Sequence, residues 1–467
     1  MIRRTKVVCT LGPASGSAEV VRALVTAGMD VARINASHGT MDQRAELIQV
    51  VRTVARQADR PIAVLLDLQG PRIRVGGLAT PIPLTPGQTV VFAPEAAARP
   101  GQIPTTYEAL AHDAVVGCRI LLDDGVLACE VTAVRAPLVE ARVIYGGELR
   151  SHKGMNLPGI EVTAPALTDK DREDVAFASR IGVDYVALSF VRRPEDLHEL
   201  RGLLPKGVRI IAKIEKDTAL KNADAIIEAS DAIMVARGDL GVELPFEEVP
   251  LVQKRLIRQA IQHRRPVITA TQMLESMIHS PRPTRAEASD VANAILDGTD
   301  AVMLSAETAA GDYPVEAVTA MDRIIREIER NEAFRKGRDE RLHHEDASRT
   351  EHAVAAAAVA AGRMLGAPVI VTFTKSGFTV YVVAAERPPM PIFAVTDEDL
   401  VFRQLALVWG VVPFLTHQIP RYQAMLDAAR EAILQRGFAK TGDRVVAMAG
   451  VPFDVPGKTN MIKVEEV

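Results

Sequence analysis

Cysteine is scarce in this chain: Cys9, Cys118 and Cys129 are the only three in 467 residues. Their odd number and wide spacing exclude a disulfide framework and a cysteine-built metal site. No apolar run approaches the roughly 20 residues needed to span a bilayer, because charges or glycines interrupt each stretch within a strand's length. A one-signed charge excess is also missing. Lys plus Arg number 55 against 59 Asp plus Glu, a net charge of −4, and no basic block stands out. Nucleic acid and anionic membrane are therefore not expected partners. Internal repeats and low-complexity segments are absent as well, and MIRRTKVVCT leads straight into strand-like sequence instead of a secretory signal. A cytoplasmic enzyme with reduced thiols is the expectation.

What is present is a hydrophobic content of 48%, enough for two or three domains with cores of their own. Short Val/Ile/Leu/Ala runs, apolar on both faces as buried parallel strands must be, alternate with segments of helical period. Eight can be counted: TKVVCTLG from Thr5, VARINASHG from Val31, IAVLLDLQG from Ile62, VDYVALSF from Val183, RIIAKIE from Arg209, AIMVARGDL from Ala232, PVITATQM from Pro266 and AVMLSAET from Ala301. This order predicts a (β/α)8 barrel with its polar strand ends gathered on one face. One interval is too long, since Ile62 and Val183 lie 121 residues apart.

The inserted stretch is rich in turns and β-branched alternation, as in TPGQTVVF and LVEARVIYGGEL. It predicts a small β-barrel or sandwich leaving the catalytic end of the third strand, placed to act as a lid. After the barrel, EIERNEAFRKGRDERLHHEDAS has the composition of an exposed linking helix, and a second α/β pattern follows. The expected division is barrel over 1–70 and 165–342, lid over 71–164 and a C-terminal α/β regulatory domain over 343–467.

The chemistry concentrates in a few strand ends. Lys213 and Glu215, two apart in AKIE, point to the same side of a strand. An ammonium suits a transferring phosphoryl group, and a carboxylate beside it suits a hard cation. Asp239 ends the next strand, where a short helical turn would aim backbone N–H groups at an anion. Glu215 and Asp239 thus make a two-carboxylate site for Mg2+. In RINASH, Arg33 offers a planar fork for phosphate, Asn35 and Ser37 offer oxygens, and His38 stands beside them. Thr271, Ser305 and Glu307 complete the rim with groups able to relay a proton. These residues leave open a Mg2+-dependent pyruvate aldolase or lyase, and a metabolite sensor that has lost catalysis.

Taken together, CTLGPAS, RINASHG, DLQGPRIR, KGMNLPG, AKIE, MVARGDLGVE, ATQMLESM, RPTRAE and MLSAETAAGDYP resemble the pyruvate kinase family over essentially the whole chain. The resemblance implies transfer of the phosphoryl group of phosphoenolpyruvate to ADP, giving pyruvate and ATP, the last step of glycolysis. By it, Arg33 and Lys213 hold the phosphoryl group and Lys213 also steadies the enolate oxygen. Glu215 and Asp239 hold Mg2+ or Mn2+. The backbone of Ala236, Arg237, Gly238 and Asp239, with Thr271, takes the substrate carboxylate. Water near Thr271, Ser305 and Glu307 protonates enolpyruvate. ADP with a second Mg2+ lies toward Thr10, Pro13, His38, Arg74 and Lys153.

Most relatives bind K+ through positions matching Asn35, Ser37, Asp67 and the next carbonyl, and carry Thr-Lys at Leu68 and Gln69 and Glu at Arg72. A minority with Leu, Gln and a basic residue there works without K+, usually with Lys where this chain has Arg72. K+-independent catalysis is expected. TFTKSGFT resembles the family's loop for an effector phosphate, built from Thr374, Lys375, Ser376, Gly377 and Thr379, with Phe378 in place of a frequent basic residue. The loop GVPFDVPGKTN, with Lys458, would close over it. The implied effector is a phosphorylated metabolite such as a sugar monophosphate or AMP, and the implied assembly a homotetramer. With the sequence ending at Val467, the extra phosphotransfer domain of some relatives is not expected.

Overall fold

The computed structural model describes residues 2–331, 349–416, 422–451 and 458–467. Eight parallel strands close into a barrel: Lys6–Leu11, Val31–Asn35, Ala63–Asp67, Tyr185–Leu188, Arg209–Ile214, Ala232–Ala236, Val267–Ala270 and Ala301–Leu304. Helices follow the strands and wrap the outside. Several begin at side-chain caps that the sequence signals plainly, Thr40 with Gln43, Thr168 with Asp171 and Thr284 with Glu287, each a reciprocal capping box. Apolar residues on both strand faces have two destinations. Val7, Val64, Ile210 and Val302 pack outward against the helices, whereas Val8, Leu65, Ile211 and Met234 fill the barrel's interior.

The C-terminal domain contributes to that interior layer, because Ala406 and Leu407 insert into its cluster from below. Four parallel strands, Ile370–Phe373, Ile392–Thr396, Val411–Leu415 and Arg444–Ala449, and one antiparallel strand, Met461–Glu466, form its sheet. It abuts the N-terminal ends of the barrel strands. Arg387 pairs with Asp300 at 2.9 Å just before the eighth strand, Arg403 with Asp184 at 2.8 Å just before the fourth, and Lys6 of the first donates to the Val411 carbonyl at 2.7 Å. Of the expected linking helix over 327–348, residues 327–330 end the helix Pro314–Arg330, while 332–348, with the 342/343 limit, lie outside the described residues.

The insert between the third and fourth strands forms a six-stranded sheet and a two-stranded ribbon around a separate core that includes Phe92, Ile120 and Val143. Its two connections to the barrel are tied. Asp171 accepts from the Gly70 N–H at 3.1 Å on the outgoing side and from Thr168 Oγ1 at 2.6 Å on the return, and Arg192 clamps the carbonyls of Val162 and Ala164. Gly70 is required where it stands: φ is +70°, and a Cβ would meet the Phe190 ring at 2.8 Å. Among the described residues no helix is long and apolar enough to cross a membrane.

Candidate active site

Strand ends build the mouth of the barrel. Arg33 sends Nε to Asp67 Oδ2 at 2.7 Å and Nη1 to Thr10 Oγ1 at 2.8 Å, while Thr10 Oγ1 donates to the Leu304 carbonyl at 2.9 Å. The guanidinium is thereby fixed by four strands. Lys213 Nζ lies 2.8 Å from Glu215 Oε1, donates to Ser189 Oγ at 2.7 Å and sits 3.4 Å from Asp67 Oδ1. Glu215 Oε2 accepts from the Phe190 N–H at 2.7 Å.

These contacts set the charges. Burial pulls the Lys213 pKa down, but the Asp67 and Glu215 carboxylates outweigh it and hold the ammonium above its ordinary range. Burial pushes Asp67 up, but Lys213 and Arg33 bring it below the usual carboxylate value. Asp239 goes the other way, raised to about 7 by burial and by the Glu215 carboxylate, with which it shares a hydrogen bond.

That last pair tests whether a divalent cation fits. Two buried carboxyls facing each other favour a shared proton, and a hard dication satisfies the same oxygens without the repulsion. The donor set fits. Among the described residues no group of three or more His, Cys, Asp or Glu forms a metal site by itself, so a cation held by Glu215 and Asp239 would need further ligands from outside the protein.

Arg72 enters from the lid connection and donates from Nη2 to Ser37 Oγ at 2.8 Å. Burial and the Arg74 charge lower its pKa, opposed by Asp239, Asp67 and Glu215. Asn35 Oδ1 accepts from the Ser37 N–H at 3.0 Å. Of the four oxygen-bearing groups expected around a monovalent cation, then, Ser37 is bonded to a guanidinium and Asp67 is paired with Arg33.

On the opposite rim the helix Arg237–Glu243 starts where the sixth strand ends. The Gly238 N–H donates to Thr271 Oγ1 at 2.7 Å, whereas the Arg237 side chain turns away, to Asp290 at 2.7 Å and the Thr271 carbonyl at 2.7 Å. Thr271 and Gln272 have φ of 67° and 54°. A β-branched residue in the left-handed region carries roughly 1–3 kcal/mol of strain, which concentrates at functional rims. Glu307 accepts from the Ser305 N–H at 2.6 Å and the Leu274 N–H at 3.2 Å. Its carboxylate therefore ties two strand ends together.

A cavity of about 440 Å³ between mouth and lid is lined by Arg33, Asp67, Arg72, Lys213, Glu215 and Asp239, together with Arg74 and Lys153. A second, of about 810 Å³, is lined by Thr10, Pro13, His38 and Ser305, and Arg33 and Asn35 border both. The five residues expected around ADP are thus split between two adjoining spaces. Lys153 Nζ lies 2.9 Å from Asp123 Oδ1 within the lid.

Two participants escaped the sequence reading. Ser189 anchors Lys213, but a serine after a strand carries no distinguishing signal. Glu243 is buried and accepts from Asn156 Nδ2 of the lid at 3.2 Å while pairing with Lys216; the helix-end position of GVE gave no hint of a partner from the insert. In the C-terminal loop, Thr374 Oγ1 accepts from the Gly377 N–H at 2.9 Å, Ser376 Oγ from the Phe378 N–H at 3.4 Å, and Thr379 meets Thr459 at 2.8 Å. Lys375 pairs with Asp397. Lys458 is exposed, and 452–457, the rest of the expected covering loop, lie outside the described residues.

A closed parallel barrel whose lidded mouth sets three cationic side chains against three carboxylates belongs to an enzyme acting on small phosphorylated anions. Comparison with known proteins makes this specific. The pyruvate kinase barrel domain matches residues 2–318, and the pyruvate kinase alpha/beta domain residues 352–465. A pyruvate kinase of Mycobacterium tuberculosis is 47% identical over 100% of this chain and 99% of its own length. One of Geobacillus stearothermophilus is 46% identical over 100% of this chain and 81% of its own. The crystal structure of a pyruvate kinase from Cryptosporidium parvum superposes with a TM-score of 0.93 at 34% identity, covering 99% of this chain and 96% of that one. The chain belongs to the pyruvate kinase family and is a phosphotransferase.

Proposed function

We propose that this chain transfers the phosphoryl group of phosphoenolpyruvate to ADP, giving pyruvate and ATP. The observation that carries this reading is Lys213, held cationic between Asp67 and Glu215 and anchored by Ser189 at the floor of the lidded cavity. Arg33, immobilised by Asp67 and Thr10, binds the phosphoryl oxygens with its remaining donor capacity. Lys213 neutralises the enolate oxygen as the P–O bond breaks. The turn that opens the helix at Arg237–Asp239 receives the substrate carboxylate, and Thr271, which accepts the Gly238 N–H, fixes that turn. Glu215 and Asp239 would hold a divalent cation, Mg2+ or Mn2+, which when bound would supply positive charge against the anionic substrate. Thr271 and Ser305 order the water that protonates enolpyruvate, with Glu307 bracing both strand ends. ADP lies along Thr10, Pro13 and His38, its phosphates toward Arg33, Arg74 and Lys153. Lid closure then removes water from the transfer.

K+ is not required in this reading, because Arg72 on Ser37 supplies the positive charge at the monovalent position. The loop Thr374–Thr379 takes the phosphate of an activating metabolite, and Ser376→Asp abolishes the response to it. The assembly is a homotetramer.

A lactate dehydrogenase-coupled assay with phosphoenolpyruvate, ADP and Mg2+ tests the central claim. Pyruvate formation that depends on ADP is expected; pyruvate released without ADP would point to a lyase, and none at all to a sensor.

A further inference from the structure

The fifth barrel strand, Arg209–Ile214, carries Lys213 toward the mouth, with Glu215 immediately after it. Its first residue faces the opposite way, into the seam with the C-terminal domain. There Arg209 Nη2 donates to the Ser376 carbonyl at 2.7 Å, Nε donates to Gln404 Oε1 at 3.1 Å, and the guanidinium lies 4.4 Å from the centre of the Tyr381 ring. Ser376 is in the phosphate-loop sequence and Tyr381 in the helix Phe378–Ala385 that the loop opens.

The neighbouring fourth strand repeats the arrangement. Tyr185, its first residue, pairs in register with Arg209, and its hydroxyl lies 3.4 Å from that of Tyr381. Just beyond its other end, Ser189 accepts from Lys213. Two adjacent strands, paired along their length, therefore touch the same C-terminal tyrosine at their starts and share the Lys213–Ser189 hydrogen bond at the mouth. Strands inside a closed barrel are axially stiff, and their interior is packed solid with Ile211 and Ala187. A shift of the loop or its helix has to move Arg209 along the strand axis or break its contacts.

We propose that Arg209 is a positioning residue that couples the 374–379 loop to Lys213 and Glu215, so that each end senses occupancy of the other. The link rests on the reading of Lys213 and Glu215 as the reacting end of the strand, and not on which metabolite the loop takes. A contiguous chain of contacts supplies the physical route, and reciprocity makes it testable from the active-site end alone.

The experiment is amide hydrogen exchange on the full chain, read on peptides covering 374–385, with and without saturating phosphoenolpyruvate and Mn2+. In the unmodified protein, exchange there is expected to slow by about fivefold or more, the lower range of ordinary coupling between sites. Arg209→Met is expected to reduce the effect to less than about twofold, while phosphoenolpyruvate binding by calorimetry persists. Arg209→Lys, which keeps the charge and one donor, restores part of it. Tyr381→Phe, which keeps the ring under the guanidinium, leaves it intact; Tyr381→Leu serves if Arg209→Met does not fold. Phosphoenolpyruvate binding without any slowing at 374–385, or slowing that survives Arg209→Met and Tyr381→Leu, would overturn the link. A chain that binds no phosphoenolpyruvate would overturn the functional reading and the link with it. Separate calorimetry with glucose 6-phosphate and AMP tests the effector reading: if neither binds but the exchange response remains, the effector reading fails and the link stands.

Discussion

Arg72 donates to Ser37 Oγ at 2.8 Å, and that single bond places a permanent positive charge beside the carboxylates of Asp67, Glu215 and Asp239. A guanidinium cannot leave with the buffer, whereas a bound alkali ion can. Turnover in K+-free Tris buffer is therefore expected to stay close to that in KCl. Arg72→Glu is expected to lower kcat by roughly a hundredfold, the scale of one lost transition-state charge contact, and added KCl should recover part of it. A many-fold activation of the unmodified protein by KCl would refute this assignment.

Lys213 is the cation nearest the breaking bond in the proposed reaction. Lys213→Met is expected to reduce kcat by about a thousandfold or more, as for other cations acting on a transferring phosphoryl group. Mn2+ binding, followed by electron paramagnetic resonance, should survive, because Glu215 and Asp239 remain. Loss of metal binding together with kcat would instead make Lys213 an organiser of the carboxylates.

Asn156 of the lid reaches Glu243 of the barrel at 3.2 Å. Removing one such bond by Asn156→Ala costs about 1 kcal/mol, so the closed lid should be populated about fivefold less. The expected signature is a severalfold rise in KM for ADP with the thermal midpoint nearly unchanged. An unaltered KM would mean that this contact does not hold the lid shut.

Lys6 gives a pH dependence of stability. Burial lowers its pKa to about 8 against 10.5 in the unfolded chain, an effect the Asp30 carboxylate only partly offsets. Between those values the unfolded state holds more protons than the folded one, so this group adds stability as pH rises from 8 to 10.5. Denaturant titrations should show the unmodified protein gaining on Lys6→Met across that window, by up to about 3 kcal/mol. Parallel pH profiles for the two proteins would contradict the buried, depressed ammonium.

Much of this architecture could be read before any coordinates. Eight two-sided apolar runs defined the barrel because parallel strands must be covered on both faces, and the 121-residue gap located the insert. The spacing of two in AKIE put Lys213 and Glu215 on one face, where they form an ion pair. Contacts between distant elements were not legible. Asp67 read as a cation ligand, but it also anchors Arg33 and flanks Lys213, which depends on the register of strands two, three and five. Ser189 and Glu243 acquire their meaning only from partners 24 and 87 residues away, and Arg209, an ordinary strand-opening arginine, only from a domain that begins well over a hundred residues later.

The plug formed by Ala406 and Leu407 has an evolutionary corollary. Because it packs into the end of the barrel opposite the lid, the first, fourth, fifth and eighth strands each have one end at the mouth and another against the appended domain. Under the proposed coupling, substitutions where these strands begin would alter control while the reaction itself is preserved. Related chains could thus diverge in control at Tyr185, Arg209 or Asp300 while Lys213, Glu215 and Asp239 stay fixed a few residues further along, or one strand over.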